Sequence, residues 1–173
     1  MSEPKIHYWP EGKKLVFIKK EATSDFWDQQ YQTELEPQGK LKLTRARGSR
    51  YWHSILQKYL PDKNALILEG GCGDGHLVDA MQYWGYKAVG VDFAERTIAT
   101  TRKIAPELDL NIGDVRKLDY EDCSFDGYWS LGVIEHFWEG YSSILKEMYR
   151  VLKPGGFLAF FSLHFLVFPQ LIG

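Results

Sequence analysis

The sequence predicts an α/β protein built on a doubly wound parallel sheet, and three observations carry that expectation. From Asn64 onward, short apolar runs alternate with amphipathic stretches of helical length, the pattern of strand–helix–strand units with right-handed crossovers and helices on both faces. The run Leu66-Ile67-Leu68-Glu69-Gly70-Gly71-Cys72-Gly73-Asp74-Gly75-His76 reads as a buried strand that enters a glycine turn and opens a helix. Acidic residues then stand at or just past the ends of successive strands: Glu69, Asp92 and Asp114. In an open sheet of this kind, ligands bind outside the carboxyl ends of the strands, where the strand order reverses.

Residues 1–45 form an N-terminal extension ahead of a core over 46–173. Within the extension, Leu15-Val16-Phe17-Ile18 is a candidate short strand. Thr23 or Ser24 caps a helix over 25–34, with Asp25 and Asp28 in its first turns, where the helix dipole favours negative charge. Pro37-Gln38-Gly39 breaks the chain. A helix over 47–60 carries Tyr51, Trp52, Ile55, Leu56, Tyr59 and Leu60 as one apolar stripe and stops at Pro61-Asp62. Strand one takes 65–68, and the helix over 75–84 is ended by Gly85. Strand two takes 87–91, and the helix over 94–105 stops before Pro106. Residues 108–112 and 128–131 are strands three and four. A helix over 141–152 places Tyr141, Ile144, Leu145, Met148, Tyr149 and Leu152 on one side. Lys153-Pro154-Gly155-Gly156 ends it and leads to strand five, the aromatic run Phe157-Leu158-Ala159-Phe160-Phe161.

Length and composition exclude several classes. A chain of 173 residues with 45% hydrophobic and 25% charged residues forms one globular domain rather than a disordered segment. The net charge of −2 gives no general attraction to nucleic acid or anionic membrane. The basic cluster Lys40, Lys42, Arg45, Arg47 and Arg50 reads as a solvated face beside a helix start. Two cysteines, Cys72 and Cys123, make neither a disulfide framework nor zinc spacing, and Cys72 suits its turn by being small. Met1-Ser2-Glu3-Pro4-Lys5 lacks the apolar core of a signal peptide, so a cytoplasmic location is expected. The apolar stretch 157–173 contains Pro169 and is read as strand and loop, not as a membrane span.

Glycines at 71, 73 and 75 permit positive φ and close approach of backbone to a ligand, and the helix start beyond them offers free N–H groups. The dinucleotide pattern G-x-G-x-x-G, begun at Gly71, requires glycine where His76 stands, so a nicotinamide-dependent oxidoreductase is disfavoured. Asp92 lies 19 residues after Gly73, where a nucleoside-binding fold places a carboxylate for ribose hydroxyls; it is equally placed to cap the helix beginning at Ala94. Asp114 is a candidate acceptor for an adenine amino group, with Val115 donating through its backbone, or else a turn cap. Phe93 packs on the adenine face or enters the core.

Glu69-Gly70-Gly71-Cys72-Gly73-Asp74-Gly75 resembles motif I of class I S-adenosylmethionine-dependent methyltransferases. Val89-Gly90-Val91-Asp92-Phe93, Gly113-Asp114-Val115, the segment from Phe125 to His136, and Arg150-Val151-Leu152-Lys153-Pro154-Gly155-Gly156 are similar to the family's later motifs, in the same order. The subgroup resembled acts on small molecules, lipids or tRNA. The resemblance implies S-adenosyl-L-methionine as cofactor and a sheet of order 3-2-1-4-5. It implies that Glu69 orients the turn and approaches the methionyl amino group, that Gly71, Gly73 and Gly75 shape the floor beneath the methionyl part, and that Gly70 and Cys72 belong to the same cofactor-binding turn. Asp92 would take the ribose, Asp114 with Val115 the adenine, and Ser130 with Leu131 would line the methyl side. Glu135-His136 is the candidate for a general base, with His136 as the proton acceptor, and a helix-start histidine without that duty is the other reading. Trp27 and Tyr31, four residues apart on one helical face, form a lid over the cofactor or pack on the sheet.

The family's strands six and seven are missing from the sequence, which leaves strand five an exposed edge and suggests a truncated chain, a homo-oligomer or a partner chain covering that edge. The tail Phe165-Leu166-Val167-Phe168-Pro169 covers strand five or lines an acceptor pocket. A non-catalytic cofactor-binding subunit is the alternative to an enzyme. All of these roles need an open cleft between strands one and four, with the turn facing it.

Overall fold

The computed structural model describes residues 5–9, 14–18, 22–35, 42–137, 140–161 and 170–171. Strands β1 (Lys5–Trp9) and β2 (Lys14–Ile18) form an antiparallel hairpin with Lys5 opposite Ile18. The candidate strand at Leu15 is therefore present, with a partner that the weakly alternating run at Lys5 did not announce. Helix α1 (Ser24–Leu35) follows, with Phe26 N donating to Thr23 Oγ1 at 3.2 Å. A 3₁₀ turn (Thr44–Ala46) leads to α2 (Arg50–Tyr59), whose start lies three residues later than expected because Gly48 and Ser49 interrupt it. Ser49 is the N-cap and accepts from Trp52 N.

From there strand and helix alternate: β3 (Leu66–Gly70), α3 (His76–Tyr83), β4 (Lys87–Asp92), α4 (Glu95–Ile104), β5 (Asp109–Ile112) and β6 (Phe125–Leu131). A 3₁₀ turn (Ile134–His136), α5 (Ser142–Val151), β7 (Leu152–Phe161) and β8 (Gln170–Leu171) complete the described chain. The main sheet has the order β5-β4-β3-β6-β7-β8. Its first five strands are parallel, in the expected 3-2-1-4-5 arrangement. The β7 edge is not wholly bare, since Gln170–Leu171 runs antiparallel to it opposite Phe157 and Leu158.

Alternation along the strands builds two cores, because successive side chains point to opposite faces. Ile67, Trp129 and Phe157 join Leu56 of α2, Leu77, Val78 and Met81 of α3, and Ile98 of α4 on one face. Leu68, Val91 and Tyr128 meet Ile144, Met148 and Val151 of α5 on the other. The apolar stripes of α2 and α5 are narrower than expected. Tyr51 on α2 is exposed, as are Tyr141, Leu145 and Tyr149 around α5, because only one flank of each helix touches the sheet. Pro37-Gln38-Gly39, Lys40 and the tail Phe165-Leu166-Val167-Phe168-Pro169 lie outside the described residues. Among the described residues no helix is long and apolar enough to cross a membrane.

Candidate functional site

The sheet order reverses between β3 and β6, and the glycine turn leaves β3 at that point. Gly71, Gly73 and Gly75 all take positive φ, at 77°, 54° and 79°, a region that disfavours any residue with a Cβ. The turn is laced to the end of β4. Gly71 N and Cys72 N donate to Val91 O at 2.8 and 3.0 Å, and Gly73 N donates to Asp92 Oδ2 at 2.8 Å. Asp92 Oδ1 accepts from Ala94 N at 2.9 Å, ahead of the helix that starts at Glu95, so it closes the turn into that helix and does not cap the helix itself.

These bonds correct one expectation. The amides of Gly71, Cys72, Gly73 and Gly75 are not free to cradle an anion, because the chain's own acceptors take them. The start of α3 is also occupied, since Asp74 Oδ1 accepts from His76 N at 3.2 Å and Glu69 accepts from the amide of Val78. A local surplus of carboxylates results. Burial, reinforced by the charges of Asp74 and Asp92, pushes the Glu69 carboxyl well above its ordinary range. Burial also raises Asp92, against the opposing pull of the amides of Ala94, Gly73 and Phe93. At Asp74 burial is outweighed by His76 and Arg45, and the carboxyl is held down at about 2.

The basic cluster supplies part of this compensation and is not simply a solvated face. Arg45 Nη1 bonds Asp74 Oδ2 at 2.6 Å, and Arg47 grips Asp79 through two bonds of 2.7 and 2.6 Å. Glu69 Oε2 is buried and has no hydrogen-bond partner among the described residues.

A small cleft of about 40 Å³ opens beside the turn. It brings together Trp27, Tyr31, Gly71, Asp92, Phe93, Leu131 and His136, all singled out from the sequence. Ala22, Gly132, Val133 and Phe137 also line it and were missed. Val133 and Phe137 follow strand four within the run that was read only for Glu135-His136, and apolar residues beyond a strand end were the available signal.

The remaining candidates sit behind this wall. Glu69 lies beneath the turn, and a Cβ on Gly70 would fall 1.9 Å from the Tyr128 hydroxyl oxygen. Cys72 is buried, with its sulfur against Gly90. Ser130 is buried within β6, and Val115 packs in the core with Leu118. Asp114 is held by Arg116, whose Nη2 reaches Oδ2 at 2.6 Å and whose amide donates to Oδ1 at 2.8 Å, the turn-capping alternative. Burial raises the Asp114 carboxyl, but these Arg116 donors outweigh it and leave it below its ordinary value.

The cleft is narrower than the sequence reading required. A Cβ on Gly73 would meet the Tyr31 ring and hydroxyl at 2.5 Å, and one on Gly71 would meet Val133 Cγ2 at 2.3 Å. Tyr31 and Val133 thus rest directly on the turn. Burial and the charges of Asp92 and Asp74 push the Tyr31 phenol upward and keep it neutral. Trp27 stacks on Tyr31 with centroids 5.8 Å apart and meets the His136 ring edge-on at 4.7 Å.

A parallel sheet with a glycine turn at its switch point and a carboxylate closing the next strand is the architecture of the doubly wound α/β proteins, whose ligands bind at that point. Residues 68–160 match the family described as methyltransferase domain, and the chain belongs to that family. A Mycolicibacterium smegmatis protein named a probable S-adenosylmethionine-dependent methyltransferase is 33% identical over 111 residues, covering 61% of this chain and 43% of that one. The ubiquinone biosynthesis O-methyltransferase of Idiomarina loihiensis is 34% identical over 112 residues, covering 62% and 46%. A solved Pyrococcus horikoshii protein is similar at TM-score 0.57 and 29% identity, over 68% of this chain and 60% of that one. The chain thus spans less than half the length of these two curated relatives.

Proposed function

We propose that this chain is the cofactor-binding core of an enzyme that transfers a methyl group from S-adenosyl-L-methionine to an acceptor not yet identified. The observation that carries the reading is the glycine turn tied through Gly73 to Asp92 at the switch point, in a chain of the methyltransferase family. The residues present suit an adenosyl amino acid. Gly71 and Gly73 admit Val133 and Tyr31 closer than any Cβ permits, space that opens to a ligand once Tyr31 moves; Asp92 lines the cleft, and Glu69 keeps a buried oxygen without a partner among the described residues.

When bound, S-adenosyl-L-methionine supplies an activated methyl group on a sulfonium. The chain's own residues bind and orient. Asp92 retains lone pairs for ribose hydroxyls beyond the two it gives to Gly73 and Ala94. Glu69 offers this buried oxygen to the methionyl ammonium, with Gly71, Gly73 and Gly75 as the floor and Gly70 and Cys72 in the same turn. Phe93 flanks the adenine, Asp114 and Val115 bound its far side, and Ser130 and Leu131 form the methyl side, where Leu131 excludes water. Trp27 and Tyr31, on the extension over 1–45, act as the lid. His136 takes the acceptor's proton where the acceptor has to lose one. Alignment alone supplies much of the rate, since well-oriented pairs reach effective molarities on the order of 10⁵ M or more.

Among the described residues that line the cleft none is lysine or arginine, and its aromatic walls favour a small molecule with an apolar body over tRNA. A cytoplasmic setting goes with this reading, from a composition with two cysteines, both free thiols. Pairing of the β7 edge with a second copy or a partner chain belongs to the same proposal.

The test is label transfer from methyl-labelled S-adenosylmethionine to extracted metabolites and to tRNA. Labelled small-molecule product is expected. Binding of S-adenosylhomocysteine with no label transferred to any acceptor would favour a non-catalytic subunit instead.

A further inference from the structure

Helix α4 has Ala94 at its N-cap position and no side-chain cap of its own. The cap comes from α1. Asp28 Oδ1 accepts from Thr97 N and Thr97 Oγ1, each at 2.8 Å, and Oδ2 accepts from Arg96 N at 3.2 Å and Arg96 Nε at 3.3 Å. Arg96 and Thr97 carry the second and third amides of the helix, the ones a local cap would satisfy. The Asp28 side chain is only 2% exposed, so its charge depends on these donors. Asp25 adds a bond of 2.7 Å to Arg96 Nη2 at the surface.

Asp28 sits between the two aromatics that cover the cleft. Trp27 precedes it and touches His136, and Tyr31, one turn further on, lies on Gly73. The carboxylate that caps α4 therefore also fixes Tyr31 in the space that a ligand needs to approach the turn.

We propose that Asp28 is a positioning residue, a latch that holds α1 closed over the glycine turn and must release for a ligand to enter. The proposal rests on the reading of the cleft as a ligand site and adds the gate to it. Opening lifts Tyr31 from Gly73, and the two α4 amides and the carboxylate pass to water together. A closed population with a small open fraction then sets the rate of entry and lowers the apparent affinity.

The test combines hydrogen exchange of the ligand-free protein with stopped-flow binding of S-adenosylhomocysteine, in wild type and Asp28→Asn. In Asp28→Asn the α1 amides are expected to exchange about tenfold faster, the effect of losing one charge-assisted hydrogen bond, while β3 and β4 amides keep their rates. Association is expected to speed by a similar factor with dissociation little changed, so that binding tightens, because the latched and ligand-bound forms exclude one another. A merely structural role would weaken binding without speeding association. Should Asp28→Asn fail to fold, Thr97→Val removes one donor without uncovering a charge and is expected to act in the same direction. Unchanged α1 exchange in the folded variants overturns the latch, and faster exchange with unchanged binding rates overturns the gate. A wild-type protein that does not bind S-adenosylhomocysteine overturns the reading of the cleft, and the exchange experiment still decides the latch.

Discussion

The Asp92 carboxylate ties Gly73 to the start of α4 and still faces the cleft, so one side chain shapes the turn and offers acceptors to a ligand. Asp92→Ala is expected to weaken S-adenosylhomocysteine binding by about 1.5–3 kcal/mol, the usual worth of hydrogen bonds to a charged group, as read by calorimetry. Asp74 has a different duty. Its carboxyl, held at about 2 against an ordinary 3.8, stays ionised in the folded chain when the unfolded chain has already taken up a proton. Its contribution is therefore full above about pH 4 and is lost as the pH falls toward about 2, some ~2 kcal/mol in all. Glu69 and Asp92, raised by burial, work in the opposite sense, and their contribution is lost as pH rises through their elevated values. Urea unfolding across the acid range should show a flatter limb for Asp74→Asn than for wild type. Equal limbs would remove Asp74 from the acid response. Asp92 was legible because its distance from the turn is set by one strand–helix–strand unit. Asp28 was not. From the sequence it belonged to its own helix dipole, and only the tertiary placement of α1 on α4 makes it a cap for another helix.

At the scale of elements, the five parallel strands of the core and the helices between them were legible, because period-two and period-3.6 patterns switch at glycine and proline, whereas the two-residue antiparallel β8 was not. Boundaries moved where a polar cap or turn outweighed the apolar pattern, as at Ser49, which starts α2 after Gly48. The helix stripes were over-read. Counting Tyr51, Tyr141, Leu145 and Tyr149 as core assumed neighbours on both flanks of α2 and α5, whereas burial follows contact with the sheet. Leu56 is the clearest buried member of the α2 stripe, at 0% exposure. Leu56→Ala is expected to cost about 2–5 kcal/mol by leaving a cavity, measurable by urea unfolding. A cost near zero would mean that α2 does not anchor that face. Tyr51→Ser on the same helix should change stability by no more than about 0.5 kcal/mol, since most of that ring is already in water.

For the whole molecule, strand order and switch point followed from the alternation of elements together with the resemblance, and the cleft lies where that topology puts it. The cover on the cleft was only half legible. The spacing of Trp27 and Tyr31 put both on one face of α1, but the descent of Tyr31 onto Gly73 depends on contacts 42 residues apart in the chain, which no local pattern records. The claim on which everything else depends is that this cleft holds an adenosyl sulfonium compound once Tyr31 moves aside. Titration calorimetry of the folded chain with S-adenosylhomocysteine and, separately, with NADH tests it most directly. The account predicts saturable binding of S-adenosylhomocysteine at one site and none of NADH. Binding of NADH in its place, or no heat from S-adenosylhomocysteine in a chain that still unfolds cooperatively, would contradict it.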